Sequence, residues 1–461
     1  MSYSFHPSIL REYDIRGIIG ETLSPADAYA IGRAFGSFRA EWLGSNPRIA
    51  VGRDGRASSP ELEKELIRGL IESGIHVVRI GVGPTPMLYF SVCIDNLDAG
   101  IMITGSHNPP SHNGFKFMIG RKPFFGEDIK KLGKIAASGN YHTGNGQAFD
   151  KNFEQTYVDT LLKGYHGSRK LRVAWDCGNG ASGRIVELLT VQLAGEHKTL
   201  FTKIDGTFPN HHPDPSVAHN LADLIETVKK EKCALGVAFD GDGDRIGVVD
   251  ETGEIIWGDQ LLALFAAEVL AENKGATIIA DVKASQSLFD EIARLGGKPL
   301  MWKTGHSLIK TKMAETGAVL AGEMSGHMFF ADKYFGYDDG IYAAVRMVSL
   351  VANSKLPLSE LRKKLPKTFA TPELRIDCEE TRKFSVIEEV AERLRKTGAK
   401  FSDVDGVRVM NEHGWWLLRA SNTQAALVAR CESGSQAGLA KLQEYLAREL
   451  AASGVNLKAA A

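Results

Sequence analysis

Residues 99–119 read AGIMITGSHNPPSHNGFKFMI. The apolar run Ile101, Met102, Ile103 has the composition of a buried strand, and it ends in Thr104, Gly105 and Ser106. Gly105 admits a sharp bend, and Pro109 and Pro110 stiffen the far side of the turn. Ser106 is therefore offered on a rigid loop at the C-terminal end of a strand, where open α/β sheets carry their chemistry. A serine hydroxyl is a weak nucleophile without a partner, and His107, His112 and Lys116 are within loop reach.

Three further loops carry chemistry. Asp240, Asp242 and Asp244 are spaced by glycines and followed by Arg245. Carboxylates at alternate positions can converge on one hard cation, and oxygen ligands suit Mg²⁺ or Ca²⁺. A Ca²⁺ loop of the EF-hand type would add Glu251, but it needs glycine where Arg245 stands and a helix where 246–249 reads as a strand. Next, Glu323, Ser325 and His327 present a carboxylate, a hydroxyl and an imidazole after an apolar run, groups that grip vicinal sugar hydroxyls. Last, Arg419, Ser421, Asn422 and Thr423, with Arg430 beyond, form a cradle for a phosphate dianion. A competing motif, GxGxxG at 178–183, follows an apolar run, and Asp205 comes about twenty residues later. It would suit an NAD-dependent dehydrogenase, yet that reading leaves the other loops without a purpose.

Strand-like and helix-like segments alternate around these loops. Strands are expected at 48–52, 76–81, 99–103, 171–176, 200–205, 234–239, 277–281 and 318–321. Helices are expected at 59–73, with Ser59 as N-cap, from 181, from 221, and near 287–294 and 308–316. Such alternation predicts parallel sheets covered by helices. From 371 the pattern changes to strands around a helix at 385–397, strands at 414–420 and 425–431, and a last helix near 438–452. The expected units are 1–152, 153–256, 257–367 and a smaller α+β unit at 368–461. At 461 residues, three or four domains are in keeping with the usual size. A net charge of −1 gives no global field toward nucleic acid or anionic membrane, so phosphate recognition must be local. The N-terminal stretch has no signal-peptide pattern, and the longest apolar stretch, 261–271, is too short to span a membrane and carries Glu268. Five scattered cysteines without a CxxC pair suggest free thiols in a reducing cytoplasm.

The four loops, in this order, resemble the α-D-phosphohexomutase superfamily, most closely its bacterial phosphomannomutase/phosphoglucomutase branch. Tyr13-Asp14-Ile15-Arg16-Gly17 matches the opening YDIRG of that family, and GRDGR (52–56), GPTP (83–86), WDCGNGASG (175–183), DVKAS (281–285) and WKTGHSLIK (302–310) are similar to its other segments. GEMSGH (322–327) separates this branch from the phosphoglucosamine mutases, which usually have glutamine where Met324 stands. The resemblance implies three similar α/β domains with mixed or parallel sheets and a smaller C-terminal α+β domain around one central cleft. It implies that Ser106 is carried as phosphoserine and passes its phosphoryl group to a hexose phosphate. Glucose 1,6-bisphosphate or its mannose counterpart is then the intermediate. It implies Mg²⁺ held by Asp240, Asp242, Asp244 and a phosphoserine oxygen, with Arg245 and Lys116 beside it. His306 and Lys116 are alternatives for proton transfer, with Arg16 nearby. Implied substrate contacts are Tyr13, Lys283, Glu323, Ser325, His327, Arg419, Ser421, Asn422, Thr423 and Arg430. Of these, Glu323 and Ser325 would hold the 3- and 4-hydroxyls, and Arg419, Ser421, Asn422 and Thr423 the non-reacting phosphate. Small-molecule hexose phosphates are the implied partners of a monomeric enzyme.

Overall fold

The computed structural model describes residues 2–38, 46–422 and 424–456. Its strands are the apolar runs of the sequence. Ala99–Ile103 and Leu235–Phe239 are buried at every residue, as strands covered on both faces must be. In the first sheet Ala99–Ile103 and His76–Val82 flank Arg48–Arg53 in parallel. On its other side Ala99–Ile103 pairs antiparallel with His112–Ile119, which pairs antiparallel with Ile15–Ile18. The second sheet repeats the plan. Leu235–Phe239 lies parallel to Leu171–Asp176 and antiparallel to Ile246–Asp250. In the third, Leu320–Gly322 lies parallel to Thr277–Asp281 and antiparallel to Met328–Phe330.

The first three sheets are therefore mixed, within the expectation of mixed or parallel sheets. In each, the most buried parallel strand is followed by a strand that returns beside it. The fourth sheet is antiparallel, with Gly414–Ala420 returning as Ala426–Ser433. The connections 104–111, 240–245, 323–327 and 421–425 are thus all hairpin turns, and each of the four chemical loops lies in one of them. A hairpin fixes both ends of its turn on a paired ladder, which holds a short polar loop rigidly.

Two expectations need correction. The strand expected at 200–205 is Gly195–Leu200, paired in register with Leu171–Asp176. It is a sheet-edge strand with exposed or half-buried polar residues, so it lacks an apolar signature, and Phe201 at φ 53° ends it. Ser58, not Ser59, stands at the N-cap position of helix Ser59–Glu72, without a side-chain capping bond, and Ser59 donates its hydroxyl to Asp54 Oδ1 at 2.6 Å. Among the described residues no helix is long and apolar enough to cross a membrane.

Apolar packing joins the first three units. One continuous cluster runs from Ala50 and Met87 through Trp175 and Phe265 to Tyr342 and Leu358. The C-terminal unit keeps its own core around Val390, Trp416, Leu427 and Leu442. Apart from this, a small cluster of Val282, Trp415 and Leu417 bridges it to the third unit.

Candidate active site

Ser106 sits at the tip of the first hairpin with a left-handed backbone, φ 49°, and is 2% exposed. Arg56 holds it there. The buried guanidinium of Arg56 donates to the carbonyls of Ser106 (2.8 Å), Asn108 (2.7 Å), Pro109 (2.6 Å) and His112 (3.0 Å), and it pairs with Asp54 at 3.1 Å. A Cβ on Gly105 would lie 2.3 Å from the Arg56 Cζ, so only glycine fits beneath this clamp. The Ser106 hydroxyl, so placed, donates to Asp240 Oδ2 at 2.9 Å and lies 3.1 Å from His107 Nδ1. His112 lies on the following strand, and its imidazole meets Ser111 rather than Ser106.

Asp240, Asp242 and Asp244 are fully buried, and their oxygens gather within 4.8 Å of one another. Lys116 Nζ bridges Asp242 Oδ2 at 2.7 Å and Asp244 Oδ2 at 2.5 Å. Thr85 adds its hydroxyl to Asp242 Oδ2 at 2.5 Å and its N–H to the Asp242 carbonyl at 2.8 Å. Burial, reinforced by the other two carboxylates, pushes Asp240 well up, and burial with Asp242 pushes Asp244 up to about 6. For Asp242 burial acts upward too, but the Lys116 ammonium outweighs it and holds this carboxyl low. Oδ1 of Asp242 and Oδ1 of Asp244 have no hydrogen-bond partner. Buried carboxylates with free oxygens converging on one point fit a hard divalent cation.

The second and third hairpins are joined. Arg245 and His327 form an isolated antiparallel bridge, and Ile246 N–H donates to the Gly326 carbonyl at 3.0 Å. Arg245 Nε lies 3.4 Å from His327 Nε2, and His327 Nε2 lies 3.2 Å from Asp244 Oδ1. On its other nitrogen His327 faces Ser325 Oγ (3.2 Å) and Glu323 Oε2 (3.1 Å). Burial first, then Asp281, pushes Glu323 up to about 7. The His306 ring stacks on His327 with centroids 5.6 Å apart, and its Nδ1 is 3.5 Å from Asp338 Oδ2. Burial, then the cations Lys310 and Lys116, holds His306 well below its usual range. Arg16 is anchored by Asp14 at 2.6 Å, and its charge acts on both His107 and His306.

The fourth hairpin approaches from the C-terminal unit. Arg419 is 5% exposed and donates to Asp405 at 2.9 Å, and Asp405 accepts the Thr304 N–H at 3.0 Å. Tyr13 donates to the Thr304 carbonyl at 2.9 Å and accepts from Asn422 at 2.5 Å, so one hydroxyl joins the first, third and fourth units. Ser421 Oγ accepts the Gln424 N–H at 3.2 Å. Lys283 pairs with Glu373 at 3.0 Å. Arg430 lies diagonally across the hairpin from Arg419, but its guanidinium meets the Lys283 carbonyl, Asp259 and Met324 Sδ at the seam between units. Thr423 lies outside the described residues.

Glycines 178–183 have a different purpose from nucleotide binding. A Cβ on Gly180 would lie 2.9 Å from the Gly241 carbonyl, and one on Gly183 1.9 Å from the Thr202 carbonyl. Gly180 therefore allows the Asp240 loop to pack close, and Asp205 bonds locally to Thr207 rather than ending a strand.

Phosphoglucomutase/phosphomannomutase family models match in series: alpha/beta/alpha domain I at 7–141, domain II at 155–253, domain III at 257–369 and the C-terminal domain at 373–449. The chain belongs to the phosphoglucomutase/phosphomannomutase family. A phosphomannomutase/phosphoglucomutase of Pseudomonas syringae pv. tomato is 46% identical, covering 96% of this chain and 95% of its own. A phosphoglucomutase of Neisseria gonorrhoeae is 45% identical, covering 94% and 95%. The crystal structure of a phosphoglucomutase/phosphomannomutase family protein from Burkholderia thailandensis superposes with a TM-score of 0.92 at 42% identity, covering 98% of this chain and 99% of that one.

Sequence reasoning did not single out Arg56, Thr85, Asp338 or Asp405, although Arg56 and Thr85 stand inside quoted motifs. A signal was available for Arg56: it follows Asp54 and Gly55 just after the apolar strand Arg48–Arg53, within reach of a carboxylate. Nothing local marks Asp338 or Asp405, which acquire meaning only from distant partners.

Proposed function

We propose that this protein interconverts hexose 1-phosphates and hexose 6-phosphates of glucose and mannose, with Ser106 as the phosphoryl carrier. The observation that carries this reading is the meeting, at one buried point, of the Ser106 hydroxyl, the three aspartates and Lys116. A family of phosphoryl-transferring isomerases supplies the reaction class. Phosphoserine at 106 gives its phosphoryl group to the free hydroxyl of hexose 1-phosphate. The serine Oγ–P bond breaks, a new O–P bond forms, and the hydroxyl proton passes to a base. The resulting 1,6-bisphosphate turns end for end and returns its other phosphoryl group to Ser106. His306, whose Nδ1 has no hydrogen-bond partner among the described residues, and Lys116, beside the aspartates, are the alternatives for moving that proton.

Asp240, Asp242 and Asp244 would hold Mg²⁺ together with a phosphoserine oxygen. An ion held there would offset charge on the transferring group. Arg245 and Arg16 add positive charge, Glu323, Ser325 and His327 hold the sugar hydroxyls, and Arg419, Ser421, Asn422 and Thr423 hold the distal phosphate. Tyr13 and Lys283 line the cleft, and Arg430 braces its floor at the seam. Glucose and mannose share the 3- and 4-hydroxyls and differ at C2, so both are substrates, whereas glucosamine phosphate is not favoured. The units serving these roles are 1–152, 153–256, 257–367 and 368–461, in a monomer acting in the cytoplasm on small molecules.

The test is intact mass before and after incubation with glucose 1,6-bisphosphate, followed by phosphopeptide mapping. A gain of one phosphoryl group on Ser106 is expected. Label on Ser111, or on no serine, would overturn the assignment.

A further inference from the structure

A cavity of about 380 Å³ lies apart from the four hairpin turns, between the first and third units. Helix Thr85–Ile94 gives it Tyr89 and Cys93, and the turn between His112–Ile119 and Lys122–Pro123 gives Arg121 and Lys122. Helix His306–Thr316 gives Lys310 and Met313, and the segment after Met328–Phe330 gives Phe335 and Tyr337. Its volume is in the range of small-molecule sites, and aromatic and aliphatic side chains form most of its wall.

Its charge is one-sided. Three cationic side chains line it and no acidic one does. Arg121 and Lys122 are exposed and have no ion-pair or hydrogen-bond partner among the described residues. Tyr89 is 2% exposed, and its hydroxyl also has no hydrogen-bond partner there. Lys310 sits 4.4 Å over the Tyr89 ring, and Tyr337 meets that ring edge-on at 5.5 Å. A neutral apolar ligand would leave these cations unused, and a free inorganic ion would leave the aromatic wall unused.

We propose that this cavity binds an organic anion with a flat apolar body, separately from the catalytic cleft. The body lies against Tyr89, Phe335 and Tyr337, and the anionic group meets Arg121 and Lys122 at the mouth. The site is coupled to the cleft through Lys310. Its Nζ pairs with Asp338 Oδ1 at 2.8 Å, and Asp338 Oδ2 faces His306 Nδ1 at 3.5 Å and His327 Nε2 at 3.9 Å. An anion in the cavity draws Lys310 from Asp338 and leaves a buried carboxylate uncompensated beside both histidines. Occupancy therefore lowers turnover without competing with substrate. This coupling rests on the mutase reading, and binding itself does not.

The probe is 8-anilinonaphthalene-1-sulfonate, an aromatic anion whose fluorescence rises in apolar surroundings. Titration should show saturable one-to-one binding that persists in saturating glucose 6-phosphate. The double variant Arg121→Ala/Lys122→Ala should weaken binding by about tenfold or more, and Ala314→Trp, on the exposed helix face at the cavity, should abolish it by filling the space. Displacement by glucose 6-phosphate, or unchanged affinity in both variants, would overturn the site. In steady-state assays the probe should lower kcat and leave KM unchanged, an effect absent from Ala314→Trp. Full turnover with the cavity occupied would overturn the coupling through Lys310. Failure of the mutase reading would show separately, as absence of any turnover in the unliganded protein.

Discussion

The Ser106 hydroxyl is aimed by residues behind its own turn. Arg56 turns its two terminal nitrogens on four carbonyls of one loop and its Nε on Asp54, and those bonds fix the direction of the hydroxyl. A lysine has three donors on a flexible stem and cannot reproduce a planar fork. Arg56→Lys should therefore lower kcat by about a hundredfold through misplacement of the nucleophile, while Mg²⁺ affinity stays near wild type. Single-turnover phosphorylation by glucose 1,6-bisphosphate, alongside a metal titration, checks this. Ser106→Ala loses the covalent step outright and should reduce turnover by several orders of magnitude in the same assay. Glu323 makes a different point. Burial holds its carboxyl up to about 7 in the folded protein, above its unfolded value, so the native state favours the protonated form. The stability tied to that proton is complete below the unfolded value and is lost as pH rises through about 7. Glu323→Gln should then gain stability relative to wild type between pH 5 and pH 8, by up to about 3 kcal/mol. Paired denaturation curves at the two pH values measure it. A constant difference would mean that the carboxylate is already ionised at pH 5.

At the scale of elements, the apolar strands were legible, as were the return strands at 246–249 and 425–431, whereas His112–Ile119 and Met328–Phe330 were not. Residues 99–103 and 171–176 were expected with the observed bounds because strands buried on both faces need continuous apolar runs. The strand beginning His112, Asn113, Gly114 carries no such signal, so the hairpin that aims Ser106 came to light only in the sheet register. The site was read almost entirely from loops rich in glycine, aspartate and histidine. Residues such as Asp338 and Asp405 were not, since their roles depend on neighbours far away in the chain. The glycine motif at 178–183 shows how the same letters serve different physics. Its middle glycine lets two turns touch, with the Gly241 and Asp240 carbonyls where a side chain would stand. Gly180→Val should displace the aspartate loop and raise the Mg²⁺ concentration needed for half-maximal activity, and no NADH binding should be found in either form. Saturable NADH binding by wild type that the variant loses would restore the dinucleotide reading.

At the scale of the whole molecule, one apolar cluster welds three units, and the fourth keeps a core of its own. The polar contacts closing the cleft run through a short chain: Asn422 to Tyr13, Tyr13 to Thr304, Thr304 to Asp405, Asp405 to Arg419. Such hydrogen bonds are worth little net in water and exchange readily with ligand oxygens, which suits a unit that must loosen while a bisphosphate turns over. Because the two phosphates exchange places in each cycle, a single cradle must accept either one, from either sugar. Arg419→Ala removes one charge-assisted contact from that cradle and should weaken glucose and mannose phosphates alike, by about 1.5–3 kcal/mol. It also frees Asp405 to stay on Thr304, so the third unit keeps its shape, and Ser106 phosphorylation level and metal binding should be unchanged. The measurement is KM for both sugars with intact mass on the same samples. Loss of one sugar alone would place Arg419 at C2 rather than at the phosphate, and wild-type values for both would remove it from the cradle.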